Sequence, residues 1–168
     1  MKPKTVYIAF GSNKGNCIEN IKAAIAALAE FGKVTAVSPL FKTKPEGYLE
    51  QEDFINGALA FSTSLSPQEL LKELKNIEAV LGRKPTFRNA PREIDLDIIF
   101  YEDTVISSPE LTIPHPLCHK REFVLLPLSL IAADFVHPIQ KETVKQLLAR
   151  LKAQKRVSDC IRLNDNLL

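Results

Sequence analysis

The run Pro91-Arg92-Glu93-Ile94-Asp95-Leu96-Asp97-Ile98-Ile99-Phe100 decides how the rest of the chain is read. Successive side chains of a strand point to opposite sides, so Ile94, Leu96, Ile98 and Phe100 fall on one face while Glu93, Asp95 and Asp97 share the other. The apolar face needs a core, and the acidic face is left for water or for cations. Asp95 and Asp97 would stand about 6.6 Å apart at Cα. Carboxylates at that spacing can converge on one divalent cation or on a pair set roughly 3.5 to 4 Å apart, and hard oxygen donors suit magnesium. A half-buried antiparallel strand also alternates in this way simply to wet one face, and the strand alone does not separate the two readings.

The residues just upstream add to the metal reading. Arg83, Lys84, Arg88 and Arg92 lie in a loop with no acid among them. A cationic arm running into an anionic strand fits a polyphosphate held by arginines on one side and by metal on the other. A solvated basic loop is the alternative.

A length of 168 residues suits a single domain over 1–168 with a substantial core. The net charge of +2 gives no broad basic field for duplex nucleic acid or an anionic membrane. Met-Lys-Pro-Lys-Thr leads straight into a strand-like run without the apolar stretch of a signal peptide, and no segment approaches a membrane span, so a cytoplasmic location is expected. Cys17, Cys118 and Cys160 are odd in number and widely spaced, which argues for a reducing compartment rather than a disulfide framework. His115, Cys118 and His119 form the tightest group of soft donors, one short of the four that a structural zinc takes.

Taken in order, Thr5 to Phe10 alternates as a strand, and Asn16 with Glu19 marks a helix start for the stripe Ile18, Ile21, Ile25 and Leu28, with Gly32 as its stop. Val34 to Phe41 reads as a second strand broken by Pro39. Thr43 to Asp53 has no periodicity and reads as a long polar loop. Phe54 to Phe61 is a strand with Phe54, Asn56, Ala58 and Ala60 on one face and Ile55, Leu59 and Phe61 on the other. The Asn56 amide can read the edge of a heterocycle or simply face solvent. Ser66-Pro67-Gln68-Glu69 starts a helix whose buried stripe is Leu70, Leu74, Ile77 and Leu81.

After the acidic strand, Glu102-Asp103 is expected to turn the chain into a hairpin with Thr104 to Ile106. The order strand, helix, strand, strand, helix, strand predicts an α+β ferredoxin-like sandwich: an antiparallel sheet with helices packed on one face, the other face free for ligands, and extra C-terminal helices. Those extra helices are Phe123 to Ala132, interrupted by Pro127, and Thr143 to Lys155. His115 sits between Pro114 and Pro116, whose fixed φ angles limit the backbone around it. It is either a phosphate donor or a loop residue with no task. Phe123 taken alone reads as core. The tail after Arg156 carries no readable signal.

The run Arg88-Asn89-Ala90-Pro91-Arg92-Glu93-Ile94-Asp95-Leu96-Asp97-Ile98-Ile99 resembles the signature of the 6-hydroxymethyl-7,8-dihydropterin pyrophosphokinase family. The likeness continues through Gly11-Ser12-Asn13, Thr43-x-Pro45-x-Gly47, Asp53-Phe54-Ile55-Asn56, Ile77-Glu78 with Gly82-Arg83, Pro114-His115-Pro116, and Arg121-x-Phe123-Val124-Leu125. It implies transfer of the terminal pyrophosphoryl group of ATP to the pterin hydroxymethyl oxygen, with release of AMP. Two Mg2+ ions held by Asp95 and Asp97 are implied, with Arg83 and Arg92 as catalytic arginines. Nucleotide contacts are implied for Glu78, Lys84, Arg88, Arg92, Ile98, Thr112, His115 and Arg121. Pterin contacts are implied for Thr43, Pro45, Glu46, Phe54, Asn56, Asp95 and Phe123.

This chain departs from the family pattern at Asn89, where many members carry an aromatic, at Ala90, where Gly is frequent, and at Leu117, where Arg is frequent. Phe87 is a candidate substitute for the missing aromatic. A single-strand RNA-binding module on the same sandwich is the main competing reading, and Asp95 and Asp97 would repel its ligand. A metabolite-binding relative without catalysis is a third. The expected partners are therefore ATP and the pterin, with no nucleic acid and no membrane, and the protein is expected to be a stand-alone monomer.

Overall fold

The computed structural model describes residues 2–82, 87, 89–155 and 158–164. Its elements follow the chain as β1 (Lys4–Ser12), α1 (Cys17–Leu28), β2 (Lys33–Val37), β3 (Phe41–Thr43), β4 (Phe54–Thr63), α2 (Pro67–Val80), β5 (Asp95–Tyr101), β6 (Ile106–Ser107) and β7 (Thr112–Ile113). A short 3-10 turn over Cys118–Lys120, α3 (Glu122–Ser129), α4 (Val144–Gln154) and β8 (Cys160–Arg162) complete it. The result is an α+β protein built on one antiparallel sheet, in the order β5-β1-β4-β3-β8, with β2 also paired to β4.

Local chemistry sets the helix starts. Asn16 accepts from Glu19 N, as a short polar side chain does at a first turn. Ser66 forms the full reciprocal box with Glu69, with Pro67 following it, where the missing N–H costs nothing. The first helix ends earlier than expected, at Leu28 with Ala29 as its cap, so Gly32 lies beyond the stop. The expected strand Val34 to Phe41 is two strands. Ser38-Pro39-Leu40 interrupts it, and Ser38 keeps the gap joined to β4 by donating from N to Ala58 O and accepting from Ala58 N on Oγ.

One face of the sheet packs on α1 and α2 through Val6, Ile8, Phe10, Ile21, Leu28, Leu59, Phe61, Leu70, Leu74, Ile94, Leu96 and Ile98. Burying side chains of this size contributes about 1.5–3 kcal/mol each, which makes this layer the main source of stability. The other face is not free, contrary to the sequence expectation. The helices α3 and α4 cover part of it through Val124, Leu125, Leu128, Leu147, Leu148 and Leu151 against Ala58, Ile99 and Phe100. These helices close a second apolar layer, and a cavity lies at the end of the sheet beyond them.

Phe100 marks a second correction. Ile8 opposes Ile98 but Tyr7 opposes Phe100, so Ile99 is an extra residue, a bulge in β5. Alternation is reset there: Ile94, Leu96 and Ile98 face α1 and α2, whereas Phe100 packs with Ile99 on the α3 and α4 side. The expected hairpin after Glu102-Asp103 is also absent: β6 pairs with β7, and β5 pairs with β1. Among the described residues no helix is long and apolar enough to cross a membrane.

Candidate active site

The uncovered end of the second face is a cavity of about 120 Å³. Its floor is made by the alternating residues of three strands. Ala9 and Gly11 come from β1, Asn56 from β4, and Asp95, Asp97 and Ile99 from β5. Register brings them together: Gly11 opposes both Asn56 and Asp95, and Ala9 opposes both Ala58 and Asp97. Gly11 is required here because a Cβ would collide with the Asn56 amide.

Asp95 is half-buried and Asp97 exposed, on the same strand face and both at the cavity. Arg92 Nη1 lies 3.8 Å from Asp95 Oδ1, and Arg92 Nε donates to Ala90 O at 3.0 Å, which holds the guanidinium beside Asp95. Two carboxylates at an open pocket are the hard oxygen set that Mg2+ takes, so the donor chemistry fits that ion.

The rest of the lining is apolar and amide-bearing. Phe54 and Phe123 line the cavity from β4 and α3. Asn56, 7% exposed, donates from Nδ2 to Thr43 Oγ1, which leaves its carbonyl side toward Gly11. Thr43 is buried on β3 and also lines the cavity, as does Glu46. Arg121 sits over Phe123, its Cζ 5.5 Å from the ring centroid, and its Nε lies 3.2 Å from Glu46 Oε2. That ion pair is close but misaligned, since Arg121 Nε is buried without a hydrogen-bond partner.

His115 is placed by the β5 bulge. Its N donates to Ile99 O at 3.0 Å, a carbonyl on the residue left over from the ladder. Burial, reinforced by the Arg121 charge and opposed by Glu46, lowers its pKa to about 4. The ring is therefore neutral near pH 7. Nδ1 accepts from Leu117 N, so the proton is on Nε2, which can donate.

Several expected contacts lie elsewhere. Glu78 is 2% exposed and away from the cavity; its Oε2 accepts from Leu96 N at 2.8 Å, and Lys75 Nζ is 3.7 Å from Oε1. Ile98 is in the core, Thr112 pairs with Ser107 in the β6–β7 ladder, and Pro45 is buried without lining the cavity. Arg83, Lys84 and Arg88 lie outside the described residues. Phe87 meets Tyr48 edge-on at 5.2 Å and does not line the cavity, whereas Asn89 and Ala90 do. Lys44, Ile99 and Val124 are lining residues that the sequence reading did not single out as site residues. For Ile99 the signal lay in the adjoining pair Ile98-Ile99, which breaks the alternation.

The soft-donor group also changes membership. Cys118, His119 and His137, rather than His115, bring their donor atoms within 4.8 Å of one another. His137 Nδ1 accepts from Ile139 N at 3.1 Å and Gln140 N at 3.0 Å, so its proton is on Nε2. A metal-bound histidine ordinarily donates through its other ring nitrogen. The trio therefore lacks the donor polarity of a zinc site.

Acids, arginines, a neutral imidazole and aromatic walls at one open sheet end are the parts of a phosphate-handling enzyme pocket. Residues 7–133 match the family model of 7,8-dihydro-6-hydroxymethylpterin-pyrophosphokinase (HPPK), and the chain belongs to this family of pyrophosphokinases. It is 42% identical over 142 residues to the 2-amino-4-hydroxy-6-hydroxymethyldihydropteridine pyrophosphokinase of Aquifex aeolicus, covering 84% of this chain and 89% of that one. The enzyme of the same name from Haemophilus influenzae is 42% identical over 147 residues, covering 84% and 92%. The folic acid synthesis protein FOL1 of Dictyostelium discoideum is 44% identical over 146 residues, which are 87% of this chain and 22% of that one, so the chain spans about a fifth of that longer relative. Among solved structures, the Plasmodium falciparum HPPK-DHPS wild type with pterin and p-hydroxybenzoate superposes with a TM-score of 0.79 at 17% identity, covering 96% of this chain and 46% of that chain. That likeness speaks for the fold alone.

Proposed function

We propose that this chain transfers the pyrophosphoryl group of ATP to the hydroxymethyl oxygen of 6-hydroxymethyl-7,8-dihydropterin, releasing AMP, as a step of folate biosynthesis. One observation carries the reading: the two carboxylates with Arg92 and the Phe54–Phe123–Asn56 wall belong to a single cavity. A charged reactant and a flat heterocycle would meet there.

In this reading Phe54 and Phe123 stack the pterin on its two faces, and Asn56 with Thr43 holds its polar edge. Burial of that amide adds selectivity, because a ligand without matching groups would leave it unpaired. Arg92 and Arg121 face the phosphates as fixed donors, and neutral His115 adds an Nε2–H without adding charge. Arg83, Lys84 and Arg88 complete the basic arm. Glu46 and Pro45 shape the pterin loop; Glu78, Ile98 and Thr112 would reach the nucleotide only through neighbouring backbone. Asp95 and Asp97 would hold two Mg2+ ions, which neutralise triphosphate charge and polarise the phosphoryl oxygens when bound. The chain's own part is alignment and preorganised charge, with no covalent intermediate.

The strand order β5-β1-β4-β3 supports a ferredoxin-like arrangement, and both apolar layers sharing one sheet support a single domain over 1–168. A monomer in the cytoplasm, with no nucleic acid or membrane partner, completes the reading. Incubation with ATP, Mg2+ and the pterin, followed by identification of the nucleotide, tests it. AMP is expected; ADP would mean an ordinary kinase, and neither product would leave a binding protein.

A further inference from the structure

Glu122 is a buried acid that this chemistry does not use. It stands between Arg121 and Phe123 at the start of α3, only 3% exposed, and does not line the cavity. A buried carboxylate is costly unless hydrogen-bonded, and its partners come from the far end of the chain. The Ser158 hydroxyl is 3.0 Å from both carboxylate oxygens, and Asp159 N donates to Oε1 at 3.1 Å. Ser158 Oγ in turn accepts from Cys160 N at 3.2 Å.

Ser158 and Asp159 lead directly into β8. Cys160, Ile161 and Arg162 pair with Thr43, Lys42 and Phe41, and Leu163 N donates to Leu40 O at 2.8 Å. A strand as short as β3 has few ladder bonds of its own, and a second partner strand roughly doubles them. Thr43, opposite Cys160, is the residue whose Oγ1 takes the Asn56 amide hydrogen. A continuous set of contacts thus runs from α3, which carries Phe123, around the sheet edge to the Thr43–Asn56 pair.

We infer that Glu122 is a positioning residue for the heterocycle: by clipping residues 158–160 it seats β8 on β3 and fixes the Thr43–Asn56 wall relative to Phe123. The inference rests on the reading that this wall and Phe123 hold the pterin.

The test compares wild type with Glu122→Ala, Glu122→Gln, Ser158→Ala and the Glu122→Ala/Ser158→Ala pair, by steady-state kinetics and by hydrogen exchange without substrates. Glu122→Ala should raise the pterin KM about tenfold while kcat and the ATP KM stay within about twofold, the pattern of lost uniform binding. Glu122→Gln keeps one acceptor oxygen and should fall between. Ser158→Ala should raise the pterin KM about threefold, and the double variant should match Glu122→Ala, because both changes remove one contact. Exchange at 41–43 and 160–162 should quicken.

Should Glu122→Ala not fold, Ser158→Ala and Glu122→Gln carry the same comparison. An unchanged pterin KM, an equal rise for ATP, or additive effects would overturn the role, and unchanged exchange would overturn the clip itself. If wild type makes no AMP, the functional reading and the heterocycle assignment fall together, while exchange still decides whether the clip exists.

Discussion

Asn13 and Arg92 hold each other by two hydrogen bonds: Arg92 N donates to Asn13 Oδ1 at 2.8 Å, and Asn13 N donates to Arg92 O at 3.0 Å. The same side chain, 4% exposed, donates from Nδ2 to Gln51 Oε1 at 2.8 Å and to Glu52 O at 2.9 Å. Gln51 Nε2 then donates to Asn89 O at 2.8 Å. The end of β1 thereby anchors both loops that border the cavity, and it fixes the backbone of the residue whose guanidinium covers Asp95.

Replacing Asn13 by Ala strands the Arg92 N–H and the Glu52 carbonyl. The expected cost is about 1–3 kcal/mol of stability, read by urea unfolding. Turnover should fall about tenfold, since a small misplacement of an aligned group is felt in the barrier. A variant as active and as stable as wild type would show that the junction does not matter.

Asp97→Ala should lower kcat by at least about 10²-fold, the loss typical of removing a preorganised electrostatic group. The fold should survive, because Asp97 is exposed at the open sheet end. Circular dichroism and thermal melting would match wild type. Retained AMP formation would remove this acid from the proposed machinery.

Glu78 acts on the acids from behind. Its Oε2 takes the Leu96 N–H, on the residue between Asp95 and Asp97, and so covers part of the edge strand β5 from α2. Glu78→Ala should cost about 1–3 kcal/mol by orphaning that amide, and Glu78→Gln, which keeps an acceptor, should cost less. Equal melting temperatures for the two variants would contradict this account.

Acid should destabilise the protein through two desolvated histidines. His115 and His137 are both lowered to about 4, each chiefly by burial, whereas an unfolded histidine titrates near 6.5. Between those values the unfolded chain binds more protons, so stability rises with pH. The contribution is complete above about pH 6.5 and is lost as pH falls toward about 4. Urea midpoints measured across that window should decline, and His137→Asn, whose oxygen can still accept from Ile139 and Gln140, should flatten part of the slope.

The acidic strand was the most legible part of the sequence, because alternation is a local signal that burial enforces. It gave Asp95 and Asp97 a shared face and Ile94, Leu96 and Ile98 the other. The same rule misplaced Phe100, since a single extra residue at Ile99 cancels the period and is marked locally just by the adjoining apolar pair Ile98-Ile99. The cap at Ser66 was readable for the same local reason. β8 was not, because three edge residues carry no periodicity and their place depends on Glu122, a partner 36 residues from Ser158 in the chain. The covering of the second face by α3 and α4 was also hidden: helical spacing shows that a helix has a buried stripe, not which layer receives it. Asn56, Phe54 and Phe123 acquired a shared purpose only through family resemblance, and the fold then brought them to one cavity.

The bulge at Ile99 puts the two halves of β5 out of step, so that one strand serves different masters above and below it. Excising that one residue would do more than shorten the ribbon. Downstream pairing would survive, with Phe100 still opposite Tyr7 and Tyr101 still opposite Val6, because the ladder already passes over Ile99. The histidine docked on the surplus carbonyl would lose its berth, so the deletion would spare the ladder and cost the pocket a donor.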